Sequence, residues 1–140
     1  MTNFRFYHPI EVRYGDLDAQ GHVNNAKYLT YMEQARIQYM RHLGLWESDS
    51  FLDIGVIMAE VRLTFRAPVE LGTPVQVGVR LVRMGNKSME VEQVIENAHD
   101  GTVYASGTVV LVAYDYRTRK SIPIPEKWRK TVSEFEKLEA

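Results

Sequence analysis

The sequence predicts an α+β fold: a long antiparallel sheet curled around one central helix, with a short second helix at the C-terminal end. Three observations carry this. Residues 25–43 hold one uninterrupted helical pattern. Four long segments of alternating polarity follow it. The links between those segments are too short for crossover connections, which implies antiparallel hairpin order.

In chain order, residues 4–14 come first. Phe6, His8, Ile10, Val12 and Tyr14 fall on one side, and Arg5, Tyr7, Pro9, Glu11 and Arg13 on the other. Period two with mixed polarity reads as a half-buried strand. Pro9 has no N–H to give a ladder, so the strand belongs at an edge or carries a bulge. Residues 15–24 form a polar loop in which Gly15 and Gly21 can take backbone angles closed to other residues. Asn24 is placed to cap the helix by accepting from its orphan amides. The helix buries Tyr28, Met32, Ala35, Tyr39 and Leu43, a stripe widened by Leu29, Arg36 and Met40, and Gly44 ends it. At 1.5 Å per residue it is about 28 Å long.

The extended segments come next. Residues 56–67 turn Ile57, Ala59, Val61, Leu63 and Phe65 inward, against Glu60, Arg62, Thr64 and Arg66. Residues 74–84 align Val75, Val77, Val79 and Leu81, and residues 88–97 align Met89, Val91, Gln93 and Ile95. Gly85-Asn86 and His99-Asp100-Gly101 mark the turns between them. Residues 102–116 are apolar on both faces, and a chain of 140 residues has no second layer to cover the outer one. A homo-oligomer, dimer or tetramer, whose sheets or edges meet is therefore expected. Residues 125–140 form a polar helix that docks through Trp128, Val132, Phe135 and Leu138.

Composition narrows the function. The 140 residues, 45% apolar and 25% charged, fit one globular domain spanning 1–140, without repeats or a linker. Seventeen basic and eighteen acidic residues are scattered along the chain for a net charge of -1, which leaves no nucleic-acid footprint. There is no cysteine, hence no disulfide, thiolate nucleophile or cysteine metal site, in keeping with a cytoplasmic protein. No segment has the apolar length of a signal peptide or a membrane span.

The chemistry concentrates in residues 13–36. Asp18 lies in the loop just before the helix, beside free backbone amides and the positive end of the helix dipole. Amides so placed can polarise a carbonyl and hold an oxyanion. A carboxylate there can attack that carbonyl or activate water. Taken alone, a loop aspartate more often orders its own loop. Asp16 shares the parity of Asp18, and spacing does not separate the two. A structural role for Asp16, pairing with Arg13 or a loop amide, is preferred. His22 is a lone loop histidine, more often solvated than catalytic, and is read as lining the site. Glu33, mid-helix, can bond Arg36 and is read as structural. Tyr28, Met32, Ile57 and Met58 are candidate walls for an apolar slot, although such residues are more often plain core.

The pattern R-Y-x-D-x-D, the loop G-H-V-N-N and the helix Y-L-x-Y-M-E-Q-A-R resemble the hotdog-fold acyl-CoA thioesterases, in the 4-hydroxybenzoyl-CoA thioesterase-like branch. The resemblance covers nearly the whole chain. It implies an acyl-CoA substrate, hydrolysed to a carboxylic acid and free CoA without cofactor or metal. It places the catalytic carboxylate on Asp18, reversing the reading of that residue as a loop-former. It also places an oxyanion-holding amide on Asn25, a position that otherwise reads as helix capping. A basic cluster that contacts CoA phosphates in related enzymes falls on Lys87 and Ser88, with Arg83 as a further candidate. Gly85 and Asn86 stand where one relative carries arginines. Two rivals share the fold. A hydratase or dehydratase of the fold uses a histidine with an Asp or Asn set, which D-L-D-A-Q-G-H does not match. A non-catalytic acyl-CoA-binding protein would bind without turnover.

Overall fold

One glycine lies where the sheet meets both its edge strand and the single central helix. In the computed structural model, which describes residues 4–138, α1 (Asn25–His42) presents the fully buried Met32 to the sheet. The sheet strands are β1 (Tyr7–Ile10), β2 (Val56–Phe65), β3 (Val75–Met84), β4 (Ser88–Asn97), β5 (Val103–Asp115) and the short β6 (Lys120–Ser121), and α2 (Glu126–Glu136) closes the described chain. Gly107 of β5 lies where a Cβ would come 2.6 Å from the Arg62 carbonyl and 3.3 Å from the Met32 methyl. Any side chain there would push β2 or α1 away.

The sheet order is β1-β3-β4-β5-β2, antiparallel throughout, with β6 paired to β5. Hairpin order therefore holds for β3, β4 and β5 but not for β2, which lies at the far edge against β5. The segment after Phe65 makes this possible by carrying the chain back across the N-terminal end of α1, with Val69 fully buried beneath it. Register shifts at Met58/Glu60, Leu81/Arg83 and Ile95/Glu96 bend the strands and curl the sheet.

The shift at Met58/Glu60 also corrects the expected facing of β2. Val61 and Leu63 pair with Val109 and Gly107 on the inner side, as the alternation predicts. Ala59 is the extra residue, so before it Met58 lies opposite the buried Leu111 and Ile57 opposite Val112 on the outer side. Strand β1 is much shorter than the alternation of residues 4–14. It is an edge strand, as Pro9 requires, and Tyr14–Asp16 is a 3-10 turn instead of a continuation. The helix ends one residue early, at His42, with Leu43 as C-cap and Gly44 at φ 73°. Strand β4 spans Ser88–Asn97 as read.

Helix α2 docks through Trp128 and Val132, with Phe135 and Leu138 partly buried. The last residues assigned to it from sequence, 139–140, lie outside the described residues. Its unexpected feature is Glu136, whose buried carboxylate accepts from Tyr39 Oη at 2.6 Å and from the Leu81 amide at 3.2 Å. Strand β1 pairs with β3 no further than Gly78, so Glu136 satisfies an edge amide that no strand reaches.

Helix α1 rests on β1, β3 and β4. The inner side of β2 is left open, with Met58 44% and Phe65 46% exposed. Among the described residues, no helix is long and apolar enough to cross a membrane. Because a Cβ at position 107 would run into the Arg62 carbonyl and crowd Met32, Gly107→Ala is expected to cost about 1–3 kcal/mol through overpacking. Urea unfolding of the variant against wild type measures this, and an unchanged midpoint would remove Gly107 as the spacer.

Candidate active site

The loop before α1 folds back on itself. Leu17 and Val23 form an antiparallel bridge, the Asp18 amide donates to the His22 carbonyl at 2.7 Å, and the Gly21 amide donates to the Asp18 carbonyl at 3.1 Å. Gly21 takes φ 78°, a left-handed angle that glycine adopts without strain. The returning limb is pinned to the segment after β2: Val23 N–H donates to Val69 O at 2.8 Å, and His22 bridges Glu70. Asp18 thus sits at the tip of a tight turn whose far limb runs straight into α1.

The two aspartates, inseparable by spacing, have different surroundings. Asp16 is 8% exposed. Its Oδ2 accepts from the Arg13 amide at 2.9 Å and the Tyr31 hydroxyl at 2.7 Å, and Lys27 Nζ lies 3.9 Å from its Oδ1. Burial alone would raise its pKa. The Arg13 amide and the Tyr31 hydroxyl, with the charges of Lys27 and Arg13, outweigh burial and hold the carboxyl below its ordinary value. The expected pairing of Asp16 with Arg13 is present, through the Arg13 backbone. Asp18 is half-buried, and its Oδ1 accepts from the amides of Gln20 at 2.8 Å and His22 at 3.1 Å. Among the described residues none donates to its second oxygen.

The start of α1 offers the complementary group. Asn24 caps it as read: its side chain accepts from Ala26 N–H at 2.9 Å, and its carbonyl from Lys27 N–H at 2.8 Å. The Asn25 amide, between them in sequence, has no acceptor among the described residues. An unclaimed amide at the positive end of a helix is suited to an anionic oxygen.

Tyr28 lies one turn further on, its ring packed edge-on against Phe65 at 5.0 Å and its hydroxyl 3.4 Å from the Ala67 carbonyl. Burial raises its pKa and the charge of Asp18 adds to the rise, against a backbone contact from Val69. His22 touches Asp18 through backbone groups only; its imidazole has no hydrogen-bond partner among the described residues.

Asp18, His22, Asn25 and Tyr28 are therefore gathered at one end of α1, beside the exposed end of β2. Arg83, Lys87 and Ser88 are not. They surround the β3–β4 turn, at the other end of strands roughly 30 Å long. There Arg83 pairs with Glu90 at 3.5 Å, Lys87 Nζ donates to Ser121 Oγ at 3.3 Å, and the Ser88 carbonyl accepts from Gly85 N–H at 2.7 Å. The larger surface depressions also lie away from Asp18. One of about 890 Å³ lies between α2 and the end of β3. Another of about 380 Å³, lined by Arg62, Thr64 and Arg66, lies on the outer side of the sheet.

Tyr31 and Lys27 were not singled out from sequence. Tyr31 lies outside the apolar stripe read from sequence although it is buried, and spacing says nothing of a carboxylate partner fifteen residues earlier.

A helix cradled by a curled antiparallel sheet, with a loop carboxylate at its N-terminal end, defines the hotdog class. The sequence profile of the thioesterase-like superfamily matches residues 12–132, and the chain belongs to that superfamily. It is 30% identical over 133 aligned residues to the long-chain acyl-CoA thioesterase FadM of Escherichia coli (strain K12), with 91% of this chain and 97% of that protein covered. It is 26% identical over 136 residues to the acyl-CoA thioester hydrolase YbgC of Escherichia coli O157:H7, with 96% and 98% covered. Among solved structures, it superposes at a TM-score of 0.85 and 34% identity on a thioesterase of Thermus thermophilus complexed with coenzyme A and Zn, with 98% of each chain covered. The expectation of a hotdog-fold thioester hydrolase stands with that membership.

The Asp16 carboxyl carries a pH consequence. Its folded pKa lies below its ordinary value near 3.8, so its stabilisation is present above that value and is lost as pH falls through the lowered one. Asp16→Asn is expected to cost about 1–3 kcal/mol at pH 7. The gap to wild type should narrow below pH 4. Urea titrations at pH 7 and pH 3 read this directly, and a gap that is the same at both would disconnect Asp16 from the acid response.

Proposed function

We propose that the protein is an acyl-CoA thioesterase. In this reading Asp18 is the general base or nucleophile, and the Asn25 amide holds the thioester oxygen. The observation that carries it is the pairing of one carboxylate oxygen and one helix-start amide, both without protein partners among the described residues, at the same end of α1. The thioester carbonyl oxygen accepts from Asn25 N–H, and negative charge collects there as the carbon becomes tetrahedral. Asp18 either takes a proton from the attacking water or attacks the carbon itself, giving an anhydride that water then opens. In both routes the C–S bond breaks, water supplies the oxygen of the new acid, and the thiolate leaves as CoA. The exposed Phe65 ring, backed by Tyr28, gives the acyl group an apolar start. The names of FadM and YbgC support acyl-CoA as the substrate class.

The reading includes a homodimer formed through β2. This ten-residue edge strand is unpaired on one side, and the exposed apolar surface gathers around it: Ile57, Met58 and Phe65 on the strand, Phe51 at 75% just before it. Its outer side carries Glu60, Arg62, Thr64 and Arg66. Antiparallel pairing with a second copy about Val61 sets Glu60 opposite Arg62, and pairing about Leu63 sets Glu60 opposite Arg66. Centring on Glu60, Arg62 or Thr64 opposes like charges. Antiparallel pairing also carries the start of one β2 to the end of the other. Because the Ala113 amide beside Val56 donates to the Lys87 carbonyl at 2.8 Å, the β3–β4 turn travels with that end. Arg83, Lys87 and Ser88 would then serve the CoA phosphates of the partner subunit's site.

Thiol release from acyl-CoAs of graded length, aliphatic and aromatic, tests the chemistry. Asp18→Asn is expected to lose about a hundredfold or more in kcat. Equal turnover by wild type and variant, or enoyl-CoA hydration in place of thiol release, would overturn the assignment. Sedimentation tests the dimer. Glu60→Lys opposes like charges in both permitted registers and is expected to shift the protein toward monomer. Adding Arg62→Glu restores association in the Val61 register, and adding Arg66→Glu in the Leu63 register. A monomeric wild type would sink the β2 interface.

A further inference from the structure

We propose that Asp16 and Tyr31 form a positioning pair that aims the Asn25 amide at the thioester oxygen. The inference rests on the oxyanion role given to that amide. Asp16 is the one residue of the loop tied to every part of the joint. Its Oδ2 holds the start of the 3-10 turn through Arg13 N–H at 2.9 Å and the second turn of α1 through Tyr31 Oη at 2.7 Å. Its Oδ1 faces Lys27, on the first turn, at 3.9 Å. Its main-chain carbonyl accepts from the N-cap Asn24 amide at 2.8 Å.

The direction of the Asn25 N–H follows from the residues on either side of it. Asn24 fixes where the helix begins, and Tyr31 fixes its rotation about its own axis. Both are anchored on Asp16, Asn24 on its main-chain carbonyl and Tyr31 on its buried carboxylate, where a charge-assisted hydrogen bond is short and strong. A helix turned or slid at this end would have to break the Asp16–Tyr31 bond and the Asp16–Asn24 bond together. Asp16 does not itself reach the substrate, because its carboxylate is enclosed by its own donors. Its influence passes through geometry, and a displacement of about 1 Å at a reacting group can cost on the order of a hundredfold in rate.

The same helix supplies the control. Tyr39 donates to the buried Glu136 at 2.6 Å, a second tyrosine–carboxylate pair about 12 Å further along the axis and away from the site. The experiment compares Tyr31→Phe with Tyr39→Phe, each losing one hydroxyl and no ring. For Tyr31→Phe, kcat on the best acyl-CoA is expected to fall about tenfold to a hundredfold with KM within about twofold. Amide hydrogen exchange should quicken across residues 16–27. For Tyr39→Phe, stability falls and kcat holds. An unchanged kcat in Tyr31→Phe, or an equal loss in Tyr39→Phe, overturns the positioning role. Asp18→Asn run alongside keeps the two readings apart. Full activity of Asp18→Asn removes the thioesterase mechanism. Unchanged exchange in Tyr31→Phe removes the positioning pair whatever the activity does.

Discussion

The seating of α1 on the sheet is the constraint on which the other features depend. Met32 is fully buried, and it reaches the strands because Gly107 leaves room. The contact is reinforced by a polar bond unusual for a core: the buried Gln93 of β4 donates to the Met32 carbonyl at 2.9 Å and accepts from Arg36 at 3.0 Å. Apolar packing tolerates sliding, whereas a side-chain amide bonded to one particular carbonyl does not. With its middle held in this way, the helix has a defined N-terminal end. The loop carrying both aspartates can then close on that end in only one place.

Much of this was legible in the sequence, and the parts that were not share a cause. The helix, its Asn24 cap, the turns at Gly85 and Gly101, and strand β4 all depend on local chemistry and stand where local chemistry puts them. The facing of Ile57 does not, because the bulge at Ala59 exists only in relation to β5. The far-edge position of β2 depends on the path of residues 66–74 across the helix end, which no periodicity encodes. Asp18 and Asn25 both lie at the N-terminal end of α1, a position the local loop-then-helix pattern gives. The difference between Asp16 and Asp18 comes from Tyr31 and Arg13, donors that only the folded chain delivers. Arg83, Lys87 and Ser88 lie a full strand length from Asp18, a separation that sequence distance does not report.

The fold is lopsided in a way that bears on function. Helix α1 packs mainly on β1, β3 and β4, and toward β2 it leaves Met58 and Phe65 partly exposed. The N-terminal end of the helix lies next to that exposed edge, with Tyr28 packed on Phe65. A surface that needs cover for stability is also the surface across which an acyl group would have to lie.

Glu136 has a consequence of a different kind. It joins Arg5, Tyr39 and Leu81, residues 131, 97 and 55 positions away from it in the chain. Contacts of such separation carry a large loop-closure entropy, and they form only after the intervening chain is ordered. The helix that bears Glu136 is thus expected to lock late, with little part in the rate-limiting step of folding. Stability placed there lengthens the lifetime of the native state without hastening its arrival.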